Sequence, residues 1–336
     1  MKKILEKTKL FFKENYKGLI ILLFIYVLFN FNIGVSIYTP GGLINMGDRI
    51  ESTDKIYKSD GSINMTYVSL VKGTIPTYLI AKIIPTWDIV DTDDITYDGD
   101  LEETIKIDRY YLEESISNAY MVAYNEANIE YEIKDTNNYI TYIYEKSNTD
   151  LKLFDKIIKY DNIKFQTFNE MQDYIANKNV GDKIDFIVER NGKKINCYAK
   201  LIELDSKAKI GVGSAIINEY TSDVNIDVKS KKSESGASGG LMTTLAIYNA
   251  LTKYDITKGK TIAGTGTIDS EGNVGIIGGV KYKLSGAVKN NADIMLVPKE
   301  NYEEALNYKK EQKFDIELIS ISTFKEAIDF LKNWEG

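Results

Sequence analysis

No histidine occurs among the 336 residues of this chain, so a hydroxyl nucleophile here must find a base other than imidazole. Ser238 stands in Glu234-Ser-Gly-Ala-Ser-Gly-Gly-Leu-Met242, a run of small residues leading into an apolar, helix-like stretch. Lys281 ends Gly275-Ile-Ile-Gly-Gly-Val-Lys281, a second glycine-rich approach to an ionisable group. A serine hydroxyl attacks a carbonyl well only when a base takes its proton. A desolvated lysine amine is the candidate that remains. Lys281 would have to be neutral, its pKa drawn from about 10.4 toward about 7–8. That change corresponds to about 4 kcal/mol, within reach of burial against apolar neighbours. Ile276, Ile277, Val280 and Leu284 supply such neighbours in sequence. The glycines beside Ser238 permit a sharp turn and close approach of a substrate. Backbone N–H groups at the start of the following helix could then hold a developing oxyanion.

The elements that must position these residues read as follows. Residues 208–228 pattern as strands and 239–251 as a dense apolar helix. A glycine-rich hairpin region covers 264–279, a second helix 281–290, and a buried strand 294–297 closed by Pro298. A further strand at 316–320 precedes a terminal helix opened by the capping pattern Thr323-Phe-Lys-Glu326. Alternating strands and helices predict a compact α/β domain over 208–332. Upstream, 139–144 and 156–160 read as strands, and Thr167-Phe-Asn-Glu170 opens a short helix. Ile184, Phe186 and Val188 alternate before an Asn191-Gly192 hairpin turn and a strand over 194–201. Strands around one short helix fit a PDZ-like module at 130–203. Leu112, Ile116, Ala119, Tyr120, Ala123 and Ala127 recur with helical spacing, predicting an amphipathic helix over 112–128. The overall expectation is a mixed α/β chain, with residues 39–129 forming a separate β-containing segment that ends in this helix.

The amino terminus is polarised. Lys2, Lys3, Lys7, Lys9, Lys13 and Lys17 are opposed by Glu6 and Glu14, and no charge follows from Gly18 until Asp48. Residues 18–38 supply roughly the 20 residues needed to cross a bilayer as a helix. Lysines ahead of the span predict a cytoplasmic tail at 1–17, a single-pass transmembrane helix at 18–38 and everything after it outside the cytoplasm. A cleaved signal peptide is the competing reading, weakened by the lack of a small-x-small cleavage site. A net charge of −7 argues against general nucleic-acid binding. The single cysteine, Cys197, excludes an intrachain disulfide and reads as packing. Arginine occurs only at positions 49, 109 and 190, which reads as coding bias in a lysine-rich chain. The acidic stretch 88–103 fails the calcium-loop register around Asp98-Gly99 and reads as a solvated loop.

Three motifs in order resemble the proteolytic domain of the Lon family. Ser-Gly-Ala-Ser-Gly-Gly-Leu-Met-Thr-Thr-Leu at 235–245 is similar to its nucleophile motif. Residues 258–268, Lys-Gly-Lys-Thr-Ile-Ala-Gly-Thr-Gly-Thr-Ile, are similar to its middle segment, and 272–283 to its lysine motif. The 43-residue separation of Ser238 and Lys281 agrees with the family. The resemblance covers about 208–332 and implies Ser238 as nucleophile, Lys281 as general base and Thr265 as a hydroxyl that helps orient them. The family's proline before the nucleophile is Ala237 here, and its following alanine is Gly239. This chain has no G-x-x-x-x-G-K-[ST] loop. Its order of segments resembles the membrane-bound PDZ–Lon peptidases of Gram-positive bacteria. These likenesses imply an ATP-independent serine endopeptidase acting on peptides or unfolded protein, with no metal or cofactor and with possible self-association through the Lon-type domain. The alternative is an inert membrane-anchored scaffold that binds peptides; a signal-peptidase-like Ser–Lys hydrolase fits the motifs less well. Lys283 is expected to face solvent, Glu234 and Glu271 to lie in solvated loops, and Trp87 and Trp334 to be packing residues. A carboxylate-binding loop is not evident at Thr149-Asp-Leu-Lys-Leu-Phe154.

Overall fold

The computed structural model describes residues 2–97 and 100–335. Asp98 and Gly99, the turn of the acidic stretch, lie outside the described residues, as do Met1 and Gly336. The chain divides into two compact units, residues 1–41 with 68–101 and residues 42–67 with 102–336.

In the first unit the helix Lys2–Asn30 ends well short of residue 38. Residues 35–38 are instead strand, antiparallel to Asp88–Asp91. The expected transmembrane helix over 18–38 is therefore not formed. Its helical apolar part, 18–30, rises about 20 Å against the ~30 Å of a bilayer core. Among the described residues, no helix is long and apolar enough to cross a membrane. The cause is local. Gly34 takes a positive φ of 82° with its N–H on Asn32 Oδ1, which turns the chain out of the helix. Val35, Ile37 and Tyr38 then favour extended backbone. Thr74 and Thr77 form a reciprocal capping box that starts the helix Ile75–Ala81.

The second unit is built on four parallel strands in the order Glu317–Ile321, Ile294–Pro298, Thr261–Gly264 and 62–65. Parallel neighbours need long crossovers, and the helices Val280–Lys289 and Lys299–Gln312 supply two of them. The strand at 62–65 and the long helix Leu101–Glu126 both come from the segment expected to be separate. Ala119, Val122, Ala123 and Tyr124 of that helix share one buried core with Leu241, Leu245, Ile262, Phe324 and Leu331. Residues 42–67 and 102–126 thus belong to the same core as the carboxy-terminal domain. Pairing between strands some two hundred positions apart leaves no periodic trace in either segment.

Between the long helix and the carboxy-terminal elements lies the PDZ-like module, a six-stranded antiparallel sheet with the helix Phe168–Ala176. Its strand order is Val212–Ser222, Tyr131–Ile143, Lys156–Tyr160, Lys183–Arg190, Lys193–Lys200, Asn148–Thr149. Asn191 and Gly192 have φ of 53° and 73°, the left-handed pair a two-residue hairpin of this kind requires. The module is larger than the expected 130–203. Val212–Ser222, assigned by its sequence position to the next domain, pairs with Tyr131–Ile143 along its length. The outer edge of this added strand is occupied as well. Ile216 N–H donates to Glu114 at 2.8 Å, and Asn218 N–H donates to Ser117 Oγ at 2.9 Å.

The module's core surrounds a fully buried carboxylate. Asp155 takes a two-pronged contact from Arg190, Nε and Nη2 each 2.6 Å from one oxygen. Breaking a buried pair leaves an uncompensated charge, so Arg190→Leu should destabilise the module by about 3 kcal/mol. Thermal unfolding followed by circular dichroism checks this, and Arg190→Leu combined with Asp155→Leu should recover part of the loss. A variant with unchanged Tm would mean that the pair contributes nothing to folding.

Candidate active site

Ser238 sits in a single 3-10 turn, Ala237–Gly239, that runs directly into the buried helix Gly240–Leu251. The turn is entered through Gly236, whose φ of 86° and ψ of 150° suit glycine. Gly240 has no room for a side chain: a Cβ would come within 2.6 Å of Ser115 Oγ and 2.9 Å of the Ile268 nitrogen. Gly239, where the resembling family carries alanine, has Met65 Sδ in the corresponding space, 2.7 Å from a Cβ position. The backbone on both sides of Ser238 is tied down. Ser115 Oγ donates to Ala237 O at 3.0 Å, and Gly266 N–H donates to Ser238 O at 2.8 Å. Ser238 itself is half-buried, at the end of a helix whose first-turn N–H groups carry partial positive charge.

The lysine that meets this turn is Lys283. Its side chain is 3% exposed, and its Nζ lies 3.0 Å from Thr265 Oγ1. Thr265 is fully buried and donates its hydroxyl to Ser238 O at 3.0 Å. One threonine hydroxyl therefore joins the amine to the serine's own peptide. Burial, with no compensating carboxylate among its causes, pulls the Lys283 pKa down to about 8. Lys281 occupies a different place. It is half-buried, with its ammonium 5.0 Å from the centroid of the Tyr282 ring.

This corrects the expectation that Lys283 faces solvent. The two lysines are two positions apart on the helix Val280–Lys289, which puts them about 200° apart around its axis. The helix is entered from Gly279 in the left-handed conformation. A signal was present: Val280, Lys283, Leu284 and Ala287 fall on one stripe of helical spacing, and all four are buried. A lysine within an apolar stripe is the one that must lose water. Thr265, expected to orient Ser238 and Lys281, contacts the Ser238 carbonyl and the Lys283 amine. Glu234 is not solvated either: it pairs with Arg49 at 2.6 Å, each side chain 16% exposed. Glu271 is exposed and accepts a hydrogen bond from Asn169. Cys197 is buried, and burial pushes its thiol pKa up, in keeping with a packing part. Trp334 packs on the main core and stacks on Phe330.

Residues 208–332 match the family model of the Lon protease (S16) C-terminal proteolytic domain. Lon protease from Mesomycoplasma hyopneumoniae is 35% identical over 98 residues, 29% of this chain and 11% of that protein. Lon protease 2 from Borreliella burgdorferi is 25% identical over 212 residues, 60% of this chain and 25% of that protein. The chain thus spans no more than a quarter of the length of either relative. The PDZ domain of the SdrC-like protein from Listeria monocytogenes aligns at 23% identity with a TM-score of 0.23, covering 24% of this chain and 90% of that one.

A buried lysine with a depressed pKa has a defined effect on stability. The unfolded chain, with a lysine pKa of about 10.4, binds the proton more tightly than the folded chain does at about 8. Lys283 therefore disfavours folding below about pH 8, on the order of 3 kcal/mol, and the penalty fades as pH rises toward about 10.4. Lys283→Met should raise Tm at pH 7 and lose that advantage by about pH 10, as read by thermal scans across pH. A lower Tm for the variant at pH 7 would show that the fold compensates the ammonium.

Proposed function

We propose that this chain is a serine peptidase in which Ser238 is the nucleophile and Lys283, in place of the expected Lys281, is the general base. The observation that carries this reading is the buried Lys283 amine bonded to Thr265, whose hydroxyl in turn holds the Ser238 carbonyl. With a pKa near 8, a useful fraction of the amine is neutral at physiological pH. The neutral amine takes the Ser238 Oγ proton as the oxygen attacks the scissile carbonyl carbon. The tetrahedral oxyanion is stabilised by the positive end of the helix Gly240–Leu251, which begins just after Ser238. Collapse breaks the C–N bond, and the Lys283 ammonium returns its proton to the leaving amine. A water then gives a proton to Lys283 and attacks the acyl carbon. Loss of Ser238 Oγ, reprotonated by Lys283, releases the carboxylic product and restores the site.

Peptides and unfolded segments are the proposed substrates, and cleavage by this chain is proposed to need no ATP. A location outside the cytoplasm belongs to the same proposal on the strength of the lysine-rich, then apolar, first thirty residues. The scaffold reading has less behind it. PDZ-type recognition adds a peptide strand to a sheet edge. Here the strand Tyr131–Ile143 has the chain's own Val212–Ser222 on one side and Lys156–Tyr160 on the other.

Cleavage of an unstructured peptide library should fall at least about 100-fold in Ser238→Ala and in Lys283→Met. Lys281→Ala should stay within about threefold of the parent. For the parent, kcat/KM should rise with pH through a midpoint near 8, because the deprotonated amine is the active form. Loss of activity in Lys281→Ala with Lys283→Met still active would return the base to the residue first expected. Equal turnover by Ser238→Ala would reject the peptidase reading.

A further inference from the structure

The chain holds three arginines among 42 basic residues, and two of them act on the same short segment. Arg109 Nη1 donates to the carbonyls of Lys231 and Glu234 at 2.7 and 3.0 Å, and its Nη2 reaches Ser230 Oγ at 3.3 Å. Arg49 pairs with Glu234 Oε1 at 2.6 Å, while Glu234 Oε2 accepts the Lys231 N–H at 2.8 Å. The Arg49 carbonyl also accepts the Lys229 N–H at 2.8 Å. The segment 229–234 leads straight to Ser238 through Gly236, and nothing lies within 4 Å of the space a Gly236 side chain would fill. Packing at that glycine therefore does not set the direction of the turn. The direction is set by the groups on either side: the arginine contacts before it, and Asp108 O on the Gly236 N–H at 2.9 Å.

We infer that Arg109 and Arg49 are positioning residues that clamp the approach to Ser238 and so aim its hydroxyl. The inference rests on the peptidase reading given above. The named side-chain contacts of both arginines are with residues 230–234. The chemistry of the contacts explains why arginine stands at position 109 in a lysine-rich chain. The guanidinium carries its donors in one rigid plane and so holds the two carbonyls and Ser230 Oγ in a fixed arrangement, whereas an ammonium on a flexible stem imposes no such geometry. Arg49 makes a single-pronged contact with a carboxylate that a lysine could reproduce.

A misaimed nucleophile loses rate steeply, so Arg109→Gln and Arg109→Lys should each lower kcat roughly 10- to 100-fold with KM little changed. Arg49→Ala should lower kcat, and Arg49→Lys should restore most of it. Arg49→Ala with Glu234→Gln should be no worse than Arg49→Ala alone, since the glutamine oxygen can still accept the Lys231 N–H. The pH midpoint near 8 should stay where it is in all of these, because Lys283 keeps its surroundings. Kinetics are to be read on the full chain beside circular dichroism and Tm. A parent-like kcat in Arg109→Lys, a change confined to KM, or a rate loss matched by the unfolded fraction would each overturn the clamp. Ser238→Ala is the separating control. If it is inert while the arginine variants keep the parental kcat, only the clamp fails; if it cleaves like the parent, the peptidase reading itself fails.

Discussion

A primary amine in water at neutral pH is almost wholly charged, and taking that charge into an apolar interior costs several kcal/mol unless a partner compensates it. In this protein Lys283 is 3% exposed, and the named contact of its amine is a neutral hydroxyl, Thr265 Oγ1. The fold therefore favours the uncharged form, which is the form that accepts a proton. Thr265 follows the strand Thr261–Gly264, and its N–H donates to Leu296 O of the neighbouring strand at 3.1 Å. Lys283 comes from the helix that crosses over between those two strands, and Ser238 from the turn that opens the helix Gly240–Leu251. Three elements thus converge on one hydroxyl.

Two of the pieces that make this convergence rigid lie far upstream. The strand at 62–65 lies beside Thr261–Gly264, and Met65 fills the space beside Gly239. The helix Leu101–Glu126 does two things along its length. Asp108, Arg109 and Ser115 hold the approach to Ser238, while Glu114 and Ser117 hold the outer edge of Val212–Ser222. Burial pushes the Glu114 carboxyl up to about 7 as it accepts the Ile216 N–H. One helix therefore stands against both the six-stranded antiparallel sheet and the serine turn. The module is inserted within the path of the carboxy-terminal domain's chain, and the strand that completes its sheet leads on within sixteen residues to Ser238.

Features governed by near neighbours were legible. Small residues at 235–240 announced a tight turn before a helix, and Thr167 and Thr323 announced helix starts that both cap as expected. Asn191-Gly192 announced its hairpin. The apolar run after Gly18 was overextended because hydropathy does not register that Gly34 turns the chain into a strand. The arginines at 49 and 109 carried no pattern at all, since their contacts lie more than a hundred positions away.

Residue types and short-range spacing alone determined that the chain has a serine on a glycine-rich turn, lysines after a second such turn, no imidazole, and alternating strands and helices around them. Tertiary structure decided which lysine enters the core, because a helix presents residues two apart to opposite sides and its rotation is set by packing. It also decided that residues 42–67 and 102–126 complete the domain and that Val212–Ser222 completes the module. Those choices depend on which surfaces exclude water together, a property of the assembled chain and not of any one stretch of it.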